Sequence, residues 1–323
     1  MILVGGVDEA GLGPLLGPLC IGAAGVLVPD DAGDDQLWDR LERAVTRDLK
    51  RDKERIVVDD SKRVFTRNER GRRRLETTVC AFASATGRPL ARVEDLALWP
   101  DDEAAARADH PWRDDPAPAP HHVSEDFVEL RADLLARALE AADARVALFG
   151  TRTVEPGELN PAMDAAGSKS GAVWTWAAAG LAALLDAAVD AGATRADLTL
   201  DRQGGRAKYG AALARALPGY TVHLVGESNE VSRYRLTGPI EARITCATKA
   251  DATSFTTALA SCGAKYAREA SMDALNRWFA ARVEGLAPTA GYTTDGRRFL
   301  ADLAQRAPGL LDELDRDLLV RRR

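Results

Sequence analysis

Sulfur and lysine are scarce in this chain. Four cysteines (Cys20, Cys80, Cys246 and Cys262) are scattered over 323 residues, with no CxxC pair and no histidines at metal-ligand spacing. That pattern excludes a disulfide framework and argues against a zinc site. Of the four histidines, His121 and His122 sit in a Pro-, Ala- and Asp-rich stretch and are read as solvated loop residues. Lysine numbers 7 against 36 arginines, and alanine is heavy throughout, a bias that a GC-rich genome imposes. The arginine run RNERGRRR at 67–74 is therefore read as a solvated helix face rather than a binding patch. The longest apolar segment, GAVWTWAAAGLAALL before Asp186, is too short to span a bilayer comfortably and reads as a buried helix. MILVGG meets two acids at once and lacks a basic leader, so no signal peptide is expected. The expected location is cytoplasmic, with no membrane partner. Neither a phosphate-cradling P-loop nor a convincing Ser/His or Cys/His nucleophile arrangement is present, which argues against a small-molecule phosphohydrolase and against covalent catalysis.

What is present is an ordinary globular composition, 46% hydrophobic and 28% charged, long enough for one large domain or one domain with insertions. The net charge of −6 argues against coating nucleic acid by bulk electrostatics. It leaves room for a nuclease, whose acidic metal site adds negative charge and whose basic contacts are local. Apolar runs ILVGGVDE and LCIGAAGVLV predict two buried strands joined by a Gly/Pro loop. Residues 34–56 read as a charged helix, RIVVDDSK as a short strand ending in acids, and 66–84 as a helix. The stretch 95–122 has no sustained period and is expected to be an insertion or long surface loop. Further helices are expected over 124–143, 168–191, 205–216 and 251–283, with strands ARVALFGT, ADLTLD, YTVHLVGE and ARITCAT between them. This alternation without repeats predicts an α/β fold with a central mixed sheet flanked by helices.

The chemistry-bearing residues are acids at strand ends. Asp8 and Glu9 close the first strand, and Asp201 closes ADLTLD ahead of the turn RQGG. Carboxylates at the C-terminal ends of sheet strands can converge on one crevice. Clustered carboxylates repel one another and favour a hard divalent cation, Mg²⁺ or Mn²⁺. An aspartate after a strand is also a common turn residue, and that reading of Asp201 stands beside the first. Ser261, Lys265 and Glu269 recur every four residues and share one helix face, either a functional stripe or a solvent-facing salt-bridge row.

Several segments, in order, resemble type 2 ribonuclease H (ribonuclease HII). DEAGLGPLLGP resembles that family's opening motif, with Leu12 where an arginine is expected. DDSKR carries its DSK at Asp60, Ser61 and Lys62, and Glu158, Leu159 and Asn160 resemble its ELN. LTLDRQGG matches the strand with the third acid. KAD followed by ASCGAKYARE matches a longer motif at identical spacing, with Glu269 in place of aspartate, and GYTT at 291–294 resembles GYGT. The resemblance implies a ribonuclease H-like fold at 1–285, with an insertion at about 85–145 and a substrate-contacting C-terminal helical extension at 286–323. It implies four metal-binding, catalytic acids: Asp8, Glu9, Asp201 and Glu269. It implies endonucleolytic hydrolysis, with Mg²⁺ or Mn²⁺, of the RNA strand of RNA/DNA hybrids or at a ribonucleotide embedded in duplex DNA. Gly11, Leu12 and Gly13 would read the 2′-hydroxyl and Tyr292 would stack. Ser61, Lys62, Lys249, Ser261 and Lys265 would also contact substrate, the lysines at phosphates. A monomer is expected. Two other classes stay open: a nuclease of the same fold acting on structured DNA, and a nucleic-acid-binding protein without catalysis.

Overall fold

The strand Ile2–Ala10 (β1) and its neighbour Leu19–Val28 (β2) are buried almost without interruption. They read as continuous apolar runs because helices cover both faces of the sheet. A computed structural model describes residues 1–88, 90–114, 117–203 and 206–322. Gly204 and Gly205 of the expected glycine-rich turn, and Arg323, lie outside the described residues.

Two-residue strands Val45–Thr46 (β3) and Ile56–Val57 (β4) form a separate small pair. The main sheet adds Arg145–Val154 (β5), Ala196–Asp201 (β6), Thr221–Glu227 (β7), Val231–Thr237 (β8) and Ala242–Ala247 (β9). Its order is β5-β2-β1-β6-β9-β8-β7. The β5–β2 and β2–β1 pairs are antiparallel, β1–β6 and β6–β9 are parallel, and β9–β8 and β8–β7 are antiparallel. The result is the mixed sheet that the alternation of elements predicts.

The helices, in chain order, are Leu37–Arg40 (α1), Ser61–Val64 (α2), Glu69–Ser84 (α3), Pro100–Arg107 (α4), Glu125–Ala141 (α5) and Pro156–Ala166 (α6). They continue as Lys169–Asp190 (α7), Gly210–Ala216 (α8), Phe255–Ala280 (α9), Thr293–Arg306 (α10), Pro308–Glu313 (α11) and Arg316–Leu319 (α12). On one face of the sheet, Val4, Val26 and Phe149 pack with Phe82, Leu135, Phe255 and Leu259 of α3, α5 and α9. On the other, Leu3, Val7, Ile21 and Leu198 pack with Leu181 and Leu184 of α7. The longest apolar segment is thus a buried helix, as its composition predicts. Alternation along β1 sends Val4 to one core and Leu3 and Val7 to the other.

The long helix α9 lies unusually close to the sheet. A Cβ added at Gly6 would stand 2.2 Å from the Thr257 nitrogen, and one at Gly22 would stand 2.0 Å from the Ala260 carbonyl oxygen. Only glycine at these positions lets helix backbone meet strand backbone.

Four expectations are corrected. Residues 34–56 form single turns and the β3–β4 pair rather than one helix, with Leu37, Leu41, Val45 and Ile56 buried in the first core. The stretch 95–122 is not simply a surface loop. Leu96 is buried in the first core, and Trp112 stacks on Phe279 at 6.1 Å between ring centroids. Within the supposed insertion, α5 packs in that same core and β5 begins at Arg145. Strand β8, VSRYRLT, is an element the pattern did not single out; arginines alternate with buried Ser232, Tyr234 and Leu236 along it. The arginine run is largely solvated, as expected, with Arg67, Arg70 and Arg73 exposed; Arg70 and Arg74 also pair with Asp52, and Arg72 pairs with Asp273. His121 and His122 donate their backbone N–H groups to buried Glu76.

Candidate active site

Three neighbouring parallel strands end at one edge of the sheet, and each delivers acid there. The β1–β6 register pairs Val7 with Leu200, so the next step brings Asp8 beside Asp201. Both point to the α9 face, opposite to Val7 and Leu200, which pack in the α7 core. The Ala250 N–H donates to Asp201 Oδ1 at 2.8 Å, tying down the turn that follows β9. That turn carries Asp251, which is buried.

The electrostatics show a site crowded with negative charge. Asp8 is 6% exposed, and burial, followed by Glu9, Asp201 and Asp251, holds its carboxyl well above the usual range. The Glu9 N–H, 2.7 Å from Asp8 Oδ1, works in the opposite direction. Burial and Asp201 push Glu9 up to about 7, with Lys62 opposing. Asp251 rises to about 6 through burial, Asp60 and Asp201, and burial also raises Asp201. Lys62 loses some of its charge preference to burial, but Asp60, Asp251, Asp8 and Asp201 raise it overall. One oxygen of Glu9, Oε2, is buried without a hydrogen-bond partner. An all-oxygen donor set with mutual repulsion and an orphaned oxygen fits a hard divalent cation. Asp8, Glu9, Asp201 and Asp251 are the residues that would hold it. Among the described residues no three acidic, His or Cys side chains already stand close enough together to grip an ion.

Glu269 is a correction. Helix α9 passes the level of Asp8 near Ala260, which meets Gly22, the cross-strand partner of Asp8, and Glu269 lies nine residues further on, about 14 Å along the axis at 1.5 Å per residue. Its carboxylate accepts from Lys265 Nζ at 2.5 Å. Glu269 lines a cavity of about 570 Å³ with Phe65, Arg72, Tyr266 and Asp273, and Lys265 Nζ stands 4.7 Å from the Phe65 ring. The stripe Ser261–Lys265–Glu269 is therefore real, but its last two members form an ion pair away from the strand ends. Ser261 has a different task. Its Oγ donates to Ser61 Oγ at 2.7 Å and so seats the turn that carries Asp60, Ser61 and Lys62 against α9. Asp60 caps α2 by accepting from the Lys62 N–H at 2.9 Å. Lys62 is thereby brought to the acids, while Lys249 sits exposed in the β9–α9 turn with φ +55°.

The loop after the acid pair is held from behind. Gly11 has φ +90°, a conformation that favours glycine, and lies against the Arg268 side chain. Leu12 is half-buried against the α7 core, and Gly13 is exposed with open space beside it. The Leu15 and Leu16 N–H groups donate to the Gly291 carbonyl at 2.7 and 3.0 Å. That places Tyr292, 49% exposed, beside the loop. Asn160 of the ELN segment ties down the C-terminal tail: its amide donates to the Asp317 and Val320 carbonyls, and its oxygen accepts from the Arg322 N–H.

The structure thus unites Asp8, Glu9, Asp201, Lys62, Ser61 and Ser261, and sets Gly11–Gly13 and Tyr292 along the adjoining loop. Sequence reasoning missed Asp251. The rule that singled out Asp8 and Asp201, an acid just past an apolar strand, finds it in ARITCATKAD. It also missed Arg268 and Arg321, whose burial no local pattern announces.

No protein-family profile matches the sequence, and no curated protein does. Solved structures do. One is the complex of PCNA with ribonuclease HII from Archaeoglobus fulgidus, at 17% identity and TM-score 0.42, covering 99% of this chain and 94% of that one. Another is ribonuclease H2 from Pyrococcus horikoshii, at 14% identity and TM-score 0.39, covering 98% of this chain and 92% of that one. A third is Bst-RNase HIII in complex with Mn²⁺, at 14% identity and TM-score 0.40, covering 99% of this chain and 66% of that one. Over nearly its whole length, the chain is similar to ribonucleases of the HII and HIII types.

Proposed function

We propose that this protein is a divalent-metal-dependent endonuclease of the type 2 ribonuclease H kind, cutting RNA in RNA/DNA hybrids or at single ribonucleotides in duplex DNA. The observation that carries the reading is the gathering of Asp8, Glu9, Asp201 and Asp251 at the ends of three parallel strands, beside a glycine loop and an exposed tyrosine. A bound Mg²⁺ or Mn²⁺ would supply water activation and stabilise charge on the reacting phosphate and leaving 3′ oxygen. The crowded acids would hold the cation, which replaces the protons that burial and mutual repulsion otherwise favour there. Lys62 stands beside them as the phosphate contact, its turn fixed by the Ser61–Ser261 hydrogen bond. Gly13 leaves backbone open to a 2′-hydroxyl, which both donates and accepts. Tyr292 offers an exposed ring for stacking.

Three duplexes test the reading: one with a single ribonucleotide, a continuous RNA/DNA hybrid, and all-DNA, each with Mg²⁺ or Mn²⁺. Cutting of one or both ribonucleotide substrates, and not of DNA, is expected. Equal cutting of the all-DNA duplex would overturn the ribonuclease assignment in favour of a DNA nuclease. Hybrid binding without cleavage under either metal would leave a binding protein.

A further inference from the structure

The loop Gly11–Pro18 is fixed by the far end of the chain. The Arg321 N–H donates to the Leu15 carbonyl at 2.9 Å, and its Nε donates to the Gly17 carbonyl at 2.7 Å. One terminal nitrogen of the same guanidinium donates to the Gly11 carbonyl. Arg321 is 2% exposed, so this guanidinium cannot reach a phosphate in solvent. A second buried arginine, Arg268, grips the same loop from α9, donating to the Pro18 carbonyl and, at 3.2 Å, to that of Ala290. Two guanidiniums meeting in one buried place oppose each other: burial, then Arg268, lower Arg321 to about 9. A side chain kept charged against that opposition is held there by its fork of carbonyl acceptors, a geometry lysine cannot reproduce.

We infer that Arg321 is a positioning residue for the loop that approaches the ribose: the C-terminal strap, anchored by Asn160, sets the Gly11–Gly17 backbone for the site beside Asp8 and Glu9. This rests on the nuclease reading above and adds a specific dependence on the chain's last residues. A guanidinium enters from the tail at the Gly11 and Gly17 carbonyls, on either side of Leu12.

Arg321→Ala and Arg321→Lys, in the full chain, test this with two readouts. Amide hydrogen exchange of residues 11–17 should accelerate roughly tenfold or more in Arg321→Ala, with exchange in β1, β6 and α9 unchanged. Turnover on the ribonucleotide substrate should fall roughly 10- to 100-fold in kcat, with KM little changed, as expected for a displaced rather than a lost contact. Arg321→Lys should fall between the two, because one ammonium cannot serve both Gly11 and Gly17. Unchanged loop exchange with unchanged kcat in Arg321→Ala would overturn the inference. So would accelerated exchange spread evenly over the whole molecule, the mark of a purely structural residue. If the wild-type protein cuts no ribonucleotide substrate, the nuclease reading fails, while the exchange experiment still decides whether Arg321 holds the loop.

Discussion

Asp251 and Glu269 are both acids within the segment that resembles a metal-site motif, yet their surroundings differ. Asp251 feels Asp60 and Asp201, whereas Glu269 has a lysine of its own one helical turn away. Asp251→Asn should therefore lower kcat by at least about 100-fold, comparable to Asp8→Asn, with the melting temperature preserved. Glu269→Gln should leave activity within a factor of roughly five and lower stability instead, because the pair it breaks lies away from the acids and, at 15% and 13% exposure, leaves Lys265 largely buried without its carboxylate. Steady-state kinetics with Mn²⁺ on all three variants decides this; an inactive, folded Glu269→Gln beside an active Asp251→Asn would reverse the assignment. Glu9 and Asp251 set a pH dependence. Glu9 rises from 4.5 to about 7 and Asp251 from 3.8 to about 6 in the metal-free protein. Raised carboxyls bind more protons folded than unfolded, so their stabilising contribution is complete below about pH 4 and is lost as pH climbs through 6 and 7. A divalent cation replaces those protons. The upward shift in melting temperature on adding Mn²⁺ should thus be small at pH 5 and large at pH 8, and a shift equal at both would remove these carboxyls from the metal site.

At the scale of elements, the contact of α9 with β1 and β2 positions the acids, because the turn bearing Asp251 leads directly into that helix. Gly22→Ala would place a methyl 2.0 Å from the Ala260 carbonyl oxygen. Neither partner is the end of a flexible side chain, so the helix must move. The expected cost is about 1–3 kcal/mol in denaturant unfolding, with a loss of turnover beyond what the lost stability explains. A neutral Gly22→Ala would mean that α9 can slide without consequence. How well each element was legible follows from the same packing. Strands β1, β2, β6 and β9 and helices α3, α5, α7 and α9 announce themselves because each carries a long, consistent apolar pattern. Strand β8 is obscured because Arg233 and Arg235 occupy its outward positions and leave only Tyr234 and Leu236 as large apolar signals. Residues 34–56 carry helical composition, but their buried Leu37, Leu41, Val45 and Ile56 close a local core instead of a stripe. Asp201 was legible from its strand end, whereas Asp251, four residues past the end of β9, was passed over. Glu269 was drawn in by motif spacing, which encodes a helix face but not where along the sheet that face arrives.

For the whole molecule, the resemblance divides the chain at 285, and the packing has no seam there. Leu286, Phe299, Leu303 and Leu319 form a third core with Leu16, Trp112, Met272, Leu275, Phe279 and Val283. That cluster joins the loop after the acid pair, the stretch around Trp112, the second half of α9 and the C-terminal helices. Phe279 alone meets Trp112, Trp278 and Phe299 at ring-centroid distances of 6.1, 4.8 and 5.3 Å. Removing residues 286–323 would bare the other half of this core. At about 1.5–3 kcal/mol for each large apolar side chain returned to water, the loss is comparable to the roughly 5–15 kcal/mol that holds a typical domain folded. Arg321 and its hold on the loop would go with it. The fragment 1–285 is therefore expected to show no cooperative thermal transition and to bind a hydrophobic dye strongly, whereas the full chain melts in one step. A fragment that melted cooperatively within about 5 °C of the full chain would show that the catalytic body stands without its C-terminal helices, and that the third core is an addition to the fold rather than part of it.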